Sequence, residues 1–105
     1  MNKIPVYNKA IRDNIPQIII ESGSKCHYKV LSDEEFLPYL EQKLHEELEE
    51  YEVSKSVMEL ADIIEIIYRI AELRNVSRED LEKMRIDKRE KRGGFDKNLL
   101  LINTS

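Results

Sequence analysis

The sequence predicts an all-α fold: a four-helix bundle built on a central antiparallel helical hairpin and completed by oligomerisation. Three observations predict it. Two long segments with apolar residues at helical spacing are joined by the polar connection Val53-Ser54-Lys55-Ser56, short enough to force the two helices antiparallel. Helix-start and helix-stop residues punctuate the remainder, with capping boxes at Ser32-x-x-Glu35 and Ser77-x-x-Asp80 and glycines at Gly23 and Gly93-Gly94. The segment from Val57 to Leu73 is apolar around nearly its whole circumference. That is more than a small monomer can cover, so a second subunit is expected against it, most simply in a C2 homodimer or else in a higher homo-oligomer.

In chain order, residues 2 to 12 read as an extended arm leading to a first helix that begins around Pro16, since proline suits the first helical position. Gln17 to Ser22 carry that helix to Gly23, a C′ residue. Lys25 to Leu31 alternate loosely and suggest a short extended segment. A lone strand there needs a partner from another chain or from the tail Leu99-Leu100-Leu101-Ile102. Ser32 opens the second helix, which runs to about Glu52, with Pro38 in its second turn favouring a kink or a late start near Phe36. The third helix spans about Val57 to Arg74. Ser77 then caps a fourth that ends near Arg92. With 105 residues and no internal repeat, low-complexity stretch or linker, residues 1–105 form one domain with a modest core.

A chain 36% charged and 41% hydrophobic reads as globular rather than disordered. The start, Met-Asn-Lys-Ile-Pro, leads into polar residues without the apolar core of a secretory leader. The longest apolar segment is interrupted by Glu59, Asp62, Glu65 and Arg69, so no membrane span is expected. The single Cys26 has no partner for an internal disulfide and reads as a structural thiol. A cytoplasmic location is therefore expected. The net charge of −4 hides a segregation. From Asp33 to Glu65 twelve acids face Lys43 and Lys55, a balance of −10, whereas from Lys83 to Arg92 six bases face Asp87 and Glu90, a balance of +4. The acidic half suits a cation. The basic block suits phosphate, or equally a helix C-terminus favoured by the macrodipole. Overall acidity argues against a nucleic acid polymer as partner.

The acids carry the chemistry. On the second helix Leu37, Leu40, Leu44, Leu48 and Tyr51 form the apolar stripe, and at ~100° per residue Glu47 lies about 60° from its centre, bordering the core. On the third helix one band is polar, running through Glu59, Asp62, Glu65, Arg69 and Glu72. Counted outward from the hairpin loop, Glu50 lies level with Glu59 and Glu47 level with Asp62. Four carboxylates so close need a cation or a proton, and a hard divalent ion with oxygen ligands is the natural counter-ion. Two plainer readings stand beside this one: Ser56-x-x-Glu59 is itself a capping box, and the polar band is also what the solvated face of a helix looks like. His27 and His45 complete no zinc or di-iron pattern, and no G-x-x-x-x-G-K-[ST] loop exists.

Glu46-Glu47-x-x-Glu50 followed by Glu59-x-x-Asp62 resembles the EExxE...ExxD signature of the all-α nucleoside triphosphate pyrophosphatases, the MazG-like superfamily. Tyr7-Asn8-Lys9-x-x-Arg12-Asp13-x-Ile15-Pro16 and Lys88-Arg89-x-x-Arg92-Gly93-Gly94-Phe95 look like its phosphoribosyl-ATP-pyrophosphohydrolase-like branch. The resemblance implies a MazG-like bundle and a Mg2+-dependent hydrolase that cleaves the α–β phosphate bond of a nucleoside triphosphate or phosphoribosyl-ATP-like substrate, giving a monophosphate and pyrophosphate. It implies that Glu47, Glu50, Glu59 and Asp62 hold Mg2+, with Mn2+ as a substitute. Glu46 joins Glu47 as a catalytic acid that orients water or reaches a second ion. Lys9, Arg12, Lys88, Arg89 and Arg92 are the expected phosphate contacts, some of them from a neighbouring subunit. The alternative is a helical oligomerisation module without turnover. Retention of all four acids favours the enzyme.

Overall fold

Pro16 and Gly23 bracket the first helix, α1 (Ile15–Glu21). Gly23 closes it at φ +96°, a conformation that a Cβ disfavours. The computed structural model describes residues 4 and 6–105; residues 2, 3 and 5 of the expected arm lie outside the described residues. Ser32 starts α2 (Asp33–Ser54). Its hydroxyl accepts the Glu35 N–H at 3.1 Å, while the Glu35 carboxylate accepts the Ser32 N–H at 3.2 Å. The Ser32 backbone N–H, and then its hydroxyl, hold the Glu35 carboxyl below its ordinary pKa. The helix therefore starts at its cap rather than near Phe36, and it runs past Pro38 as one element. Pro38 is exposed, so its ring faces water and the cost is one missing backbone donor.

The turn between the long helices is tighter than the four-residue connection expected. α2 continues through Ser54, Lys55 takes a left-handed φ of 56° with its N–H on the Tyr51 carbonyl, and α3 (Val57–Leu73) begins two residues later. Ser56 caps α3 by accepting the Met58 N–H at 3.3 Å. Along the hairpin, Arg69 meets Asp33 at 3.5 Å and Arg74 meets Glu41 at 3.2 Å, tying the end of α3 to the beginning of α2. Both pairs are exposed and fix register more than they add stability.

The core sits between these two helices. Leu40 and Ile66 are buried with Ala10 from the N-terminal arm, and Phe36, Leu44, Ile70 and Leu73 pack around them. Ala10 is thus the residue that pins the arm to the hairpin. After a turn through Asn75 at φ 66°, Ser77 caps α4 (Arg78–Arg92) through the Asp80 N–H at 3.1 Å. The Arg78 guanidinium lies 4.1 Å over the Tyr68 ring. α4 packs on α3 alone, and none of its residues is buried.

The fold is all-helical, with four helices and no strand among the described residues. Residues 25 to 31 form no strand, with the 99–102 tail or otherwise. No helix among the described residues is long and apolar enough to cross a membrane.

Candidate metal centre

The packing seam of the hairpin determines where the acids fall. On α2 the residues turned toward α3 are Leu40, Leu44, Glu47 and Tyr51, a 4-3-4 spacing. On α3 they are Glu59, Ile63, Ile66, Ile70 and Leu73, spaced 4-3-4-3. These are the spacings at which antiparallel helices meet. Glu47 and Glu59 therefore occupy positions that elsewhere along the same seam hold apolar side chains. Leu48, expected in the stripe, is displaced to the surface, and Glu47 is only 9% exposed.

Ligand oxygens of Glu47, Glu50 and Glu59 lie within 4.8 Å of one another. Lys43, one turn before Glu47, sits 3.8 Å from its Oε1. The other oxygen, Oε2, is buried without any hydrogen-bond partner. Burial first, then the neighbouring Glu59 and Glu50, together raise the Glu47 carboxyl to about 7 against the weaker pull of Lys43. A buried, half-unpaired carboxyl beside two others is an arrangement that a proton or a cation completes. All donors are hard oxygens, and one is exposed enough for a ligand to approach, so the set fits a divalent cation such as Mg2+.

The capping reading of Glu59 fails on geometry. The Ser56 N–H, which a reciprocal cap would send to Glu59, instead reaches the Ser54 hydroxyl at 3.1 Å. Glu59 is left to face Glu47. The remainder of the polar band divides: Glu65, Arg69 and Glu72 are exposed, and Arg69 is engaged with Asp33 and Glu72.

Asp62 does not join the three glutamates. Its Oδ1 accepts a hydrogen bond from Arg12 Nη2 at 2.7 Å. Glu47 thus converges with Glu50 and Glu59, while Asp62 is engaged by the arm. Lys9 and Arg12 flank the anchored Ala10, which brings one cation of the arm to each side of the acid group. Lys9 lines an open cavity of about 650 Å³ together with Glu46, Glu49, Glu50, Val53, Ser54 and Glu59, a size suited to a small-molecule ligand.

The expected basic residues of α4 lie elsewhere. Arg89 is paired with Asp96 at 3.0 Å, and Arg92 lines a separate small pocket formed by residues 92–99. Neither these two nor Lys88 lines the acidic cavity. Two contributors were missed from sequence. Lys43 was signalled by its i,i+4 spacing to Glu47, and Glu49 by its i,i+3 spacing to Glu46. No family model, curated protein or solved structure matches the chain.

Glu47 makes stability depend on pH with a definite sign. The folded state holds this proton to about 7, whereas the unfolded carboxyl releases it near 4.5. Between those values the folded state binds more protons, so this group's contribution falls as pH rises through the window and is flat above it. In metal-free protein, urea unfolding at pH 5 and pH 7.5 should show a loss on the order of 2 kcal/mol that Glu47→Gln removes. Equal pH dependence in the two proteins would contradict the burial of an ionisable Glu47.

Proposed function

We propose that this chain is a Mg2+-dependent nucleotide pyrophosphohydrolase of the MazG-like kind. It hydrolyses the α–β phosphate bond of a nucleoside triphosphate or phosphoribosyl-ATP-like substrate to a monophosphate and pyrophosphate. One observation carries the reading: three glutamates converge within 4.8 Å, the buried Glu47 with one oxygen unpartnered behind Glu50 and Glu59, which line an open cavity together with Lys9. A surface patch of solvated acids has no reason to bury one of its members in a helix seam. The spacing of Glu46-Glu47-x-x-Glu50 and Glu59-x-x-Asp62 supports the same reading.

Glu47, Glu50 and Glu59 hold the ion, with Asp62 one turn beyond Glu59 as the fourth acid. Bound Mg2+ supplies neutralisation of phosphate charge and acidification of water. Glu46, on the cavity wall, orients the attacking water and takes its proton. Lys9 meets the phosphate tail from the arm. Arg12 acts in two ways: it holds Asp62 in the free protein and offers a two-pronged grip to phosphate when substrate arrives. Lys88, Arg89 and Arg92 serve the acid site of a second copy, since α4 carries them away from the acid site of their own chain.

Pyrophosphate release, measured over a panel of nucleoside triphosphates and phosphoribosyl-ATP, is the direct test. Activity should require Mg2+ and fall at least a hundredfold in Glu50→Gln with helical content unchanged. Full activity in that variant at millimolar Mg2+ would overturn the assignment. The Arg12 bond to Asp62 generates a second expectation. In calorimetric titration with Mg2+ alone, Arg12→Ala should bind the ion several-fold more tightly than the parent, because a competing positive charge is gone. Unchanged binding in Arg12→Ala would place Arg12 outside the metal's electrostatic reach, and weaker binding would show that it supports the site rather than competes with the ion.

A further inference from the structure

The chain exposes far more surface than a folded monomer of its size. Its accessible area is 9863 Å², whereas a compact protein of 12.4 kDa exposes about 6,100 Å². The surplus of roughly 3,700 Å² per chain exceeds the ~800 Å² that each partner buries in an ordinary stable complex. The radius of gyration, 18.4 Å, likewise exceeds the ~13 Å of a compact domain of 100 residues.

Two exposed apolar features stand out. On α3, Val57, Leu60, Ile64 and Ile67 follow a 3-4-3 spacing and fall within about 80° of arc on the side away from Ile66. All four are exposed, although they repeat the pattern of a buried helix seam. The second feature is the C-terminal arm, where Leu99 to Ile102 are each at least 78% exposed and Phe95 is 98% exposed.

The arm's exit from α4 is built rather than slack. Gly93 turns the chain at φ +84°, Asn98 adopts a left-handed φ of 55°, and the Asn98 N–H points to the Phe95 carbonyl. Arg89 holds Asp96 at 3.0 Å, and its guanidinium lies beside Gly94. Beyond these contacts an uncharged run of four apolar residues stands exposed to solvent in the single chain. Beyond the turn at residues 95–98, Leu99 to Ile102 span at most ~14 Å when extended, and the α3 stripe from Val57 to Ile67 is about 15 Å long.

We propose that two copies of this chain exchange C-terminal arms, so that Phe95 and the Leu99–Ile102 run of each lie along the Val57–Leu60–Ile64–Ile67 stripe of the other. The charges agree with this occupant. Each exchanged arm brings the +4 end of α4 to a chain whose hairpin carries −10, so the same docking that buries apolar surface joins opposite fields. The interface stands on apolar surface and is independent of the metal reading. Loss of hydrolysis in an intact dimer would strike that reading alone.

The test uses the full chain with Cys26→Ser. One tagged form carries Ile64→Cys, and a differently tagged form carries Leu100→Cys or Leu101→Cys, because alternate residues of an extended arm face opposite sides. Mixed and oxidised, the two forms should join between chains for one of the two arm positions. Sedimentation should show a dimer whose Kd rises at least tenfold in Leu100→Asp combined with Leu101→Asp. Both residues are exposed in the single chain, so helical circular dichroism should be unchanged. Three results would each overturn the exchange: Ile64→Cys joining only to itself, a chain carrying both cysteines closing only within itself, or the doubly charged arm sedimenting as the parent does.

Discussion

A carboxyl removed from water must keep its proton or meet a cation, and Glu47 is placed where that choice governs the centre of the molecule. It stands at a seam position between α2 and α3, where Leu40, Leu44 and Tyr51 occupy the neighbouring turns. An apolar residue at this point would pack without penalty. The carboxyl instead leaves Oε2 unpartnered and faces Glu59 across the seam with Glu50 alongside. Lys43 offsets part of the cost at 3.8 Å, but a single ammonium does not neutralise three acids. A proton on Glu47, or a cation bound among the three carboxylates, would relieve that repulsion.

The N-terminal arm is the second partner in this arrangement. Ala10 is small enough to sit against Leu40 and Ile66, and that anchorage places Lys9 at the acidic cavity and Arg12 on Asp62. Two cations reach the acid group from a segment with little structure of its own. Because the Arg12 pair is half exposed, it is weak and exchangeable. A contact of this strength suits a group that releases one anion when another arrives.

The helices were largely legible because their punctuation is chemical. Ser32 with Glu35 and Ser77 with Asp80 form the hydrogen bonds that their spacing implies, and Gly23 and Gly93 end helices at positive φ. The site was legible only in part. Counting outward from a loop assumes that both helices leave it symmetrically. Here α2 runs on through Ser54, and the Ser54 hydroxyl takes the Ser56 N–H, while Glu47 converges with both Glu50 and Glu59. An apolar stripe drawn through Leu48 could not show that Glu47 fills the seam, because the two positions lie only about 100° apart. Nor does local spacing show that Arg12, fifty residues away in sequence, takes Asp62. That contact depends on where Ala10 docks. The basic block of α4 was visible as charge, but its separation from the acid cavity follows from how sparsely α4 packs on α3.

The central claim is that the Glu47 proton and a divalent cation compete for one place, and the protons released on metal binding test it most directly. Calorimetric titration with Mg2+ at pH 6, in two buffers of different ionisation enthalpy, should report close to one proton released per ion bound. The release should fade by pH 8 and vanish at both pH values in Glu47→Gln. Mg2+ binding that releases no proton at pH 6, or no binding at millimolar concentrations, would contradict the account.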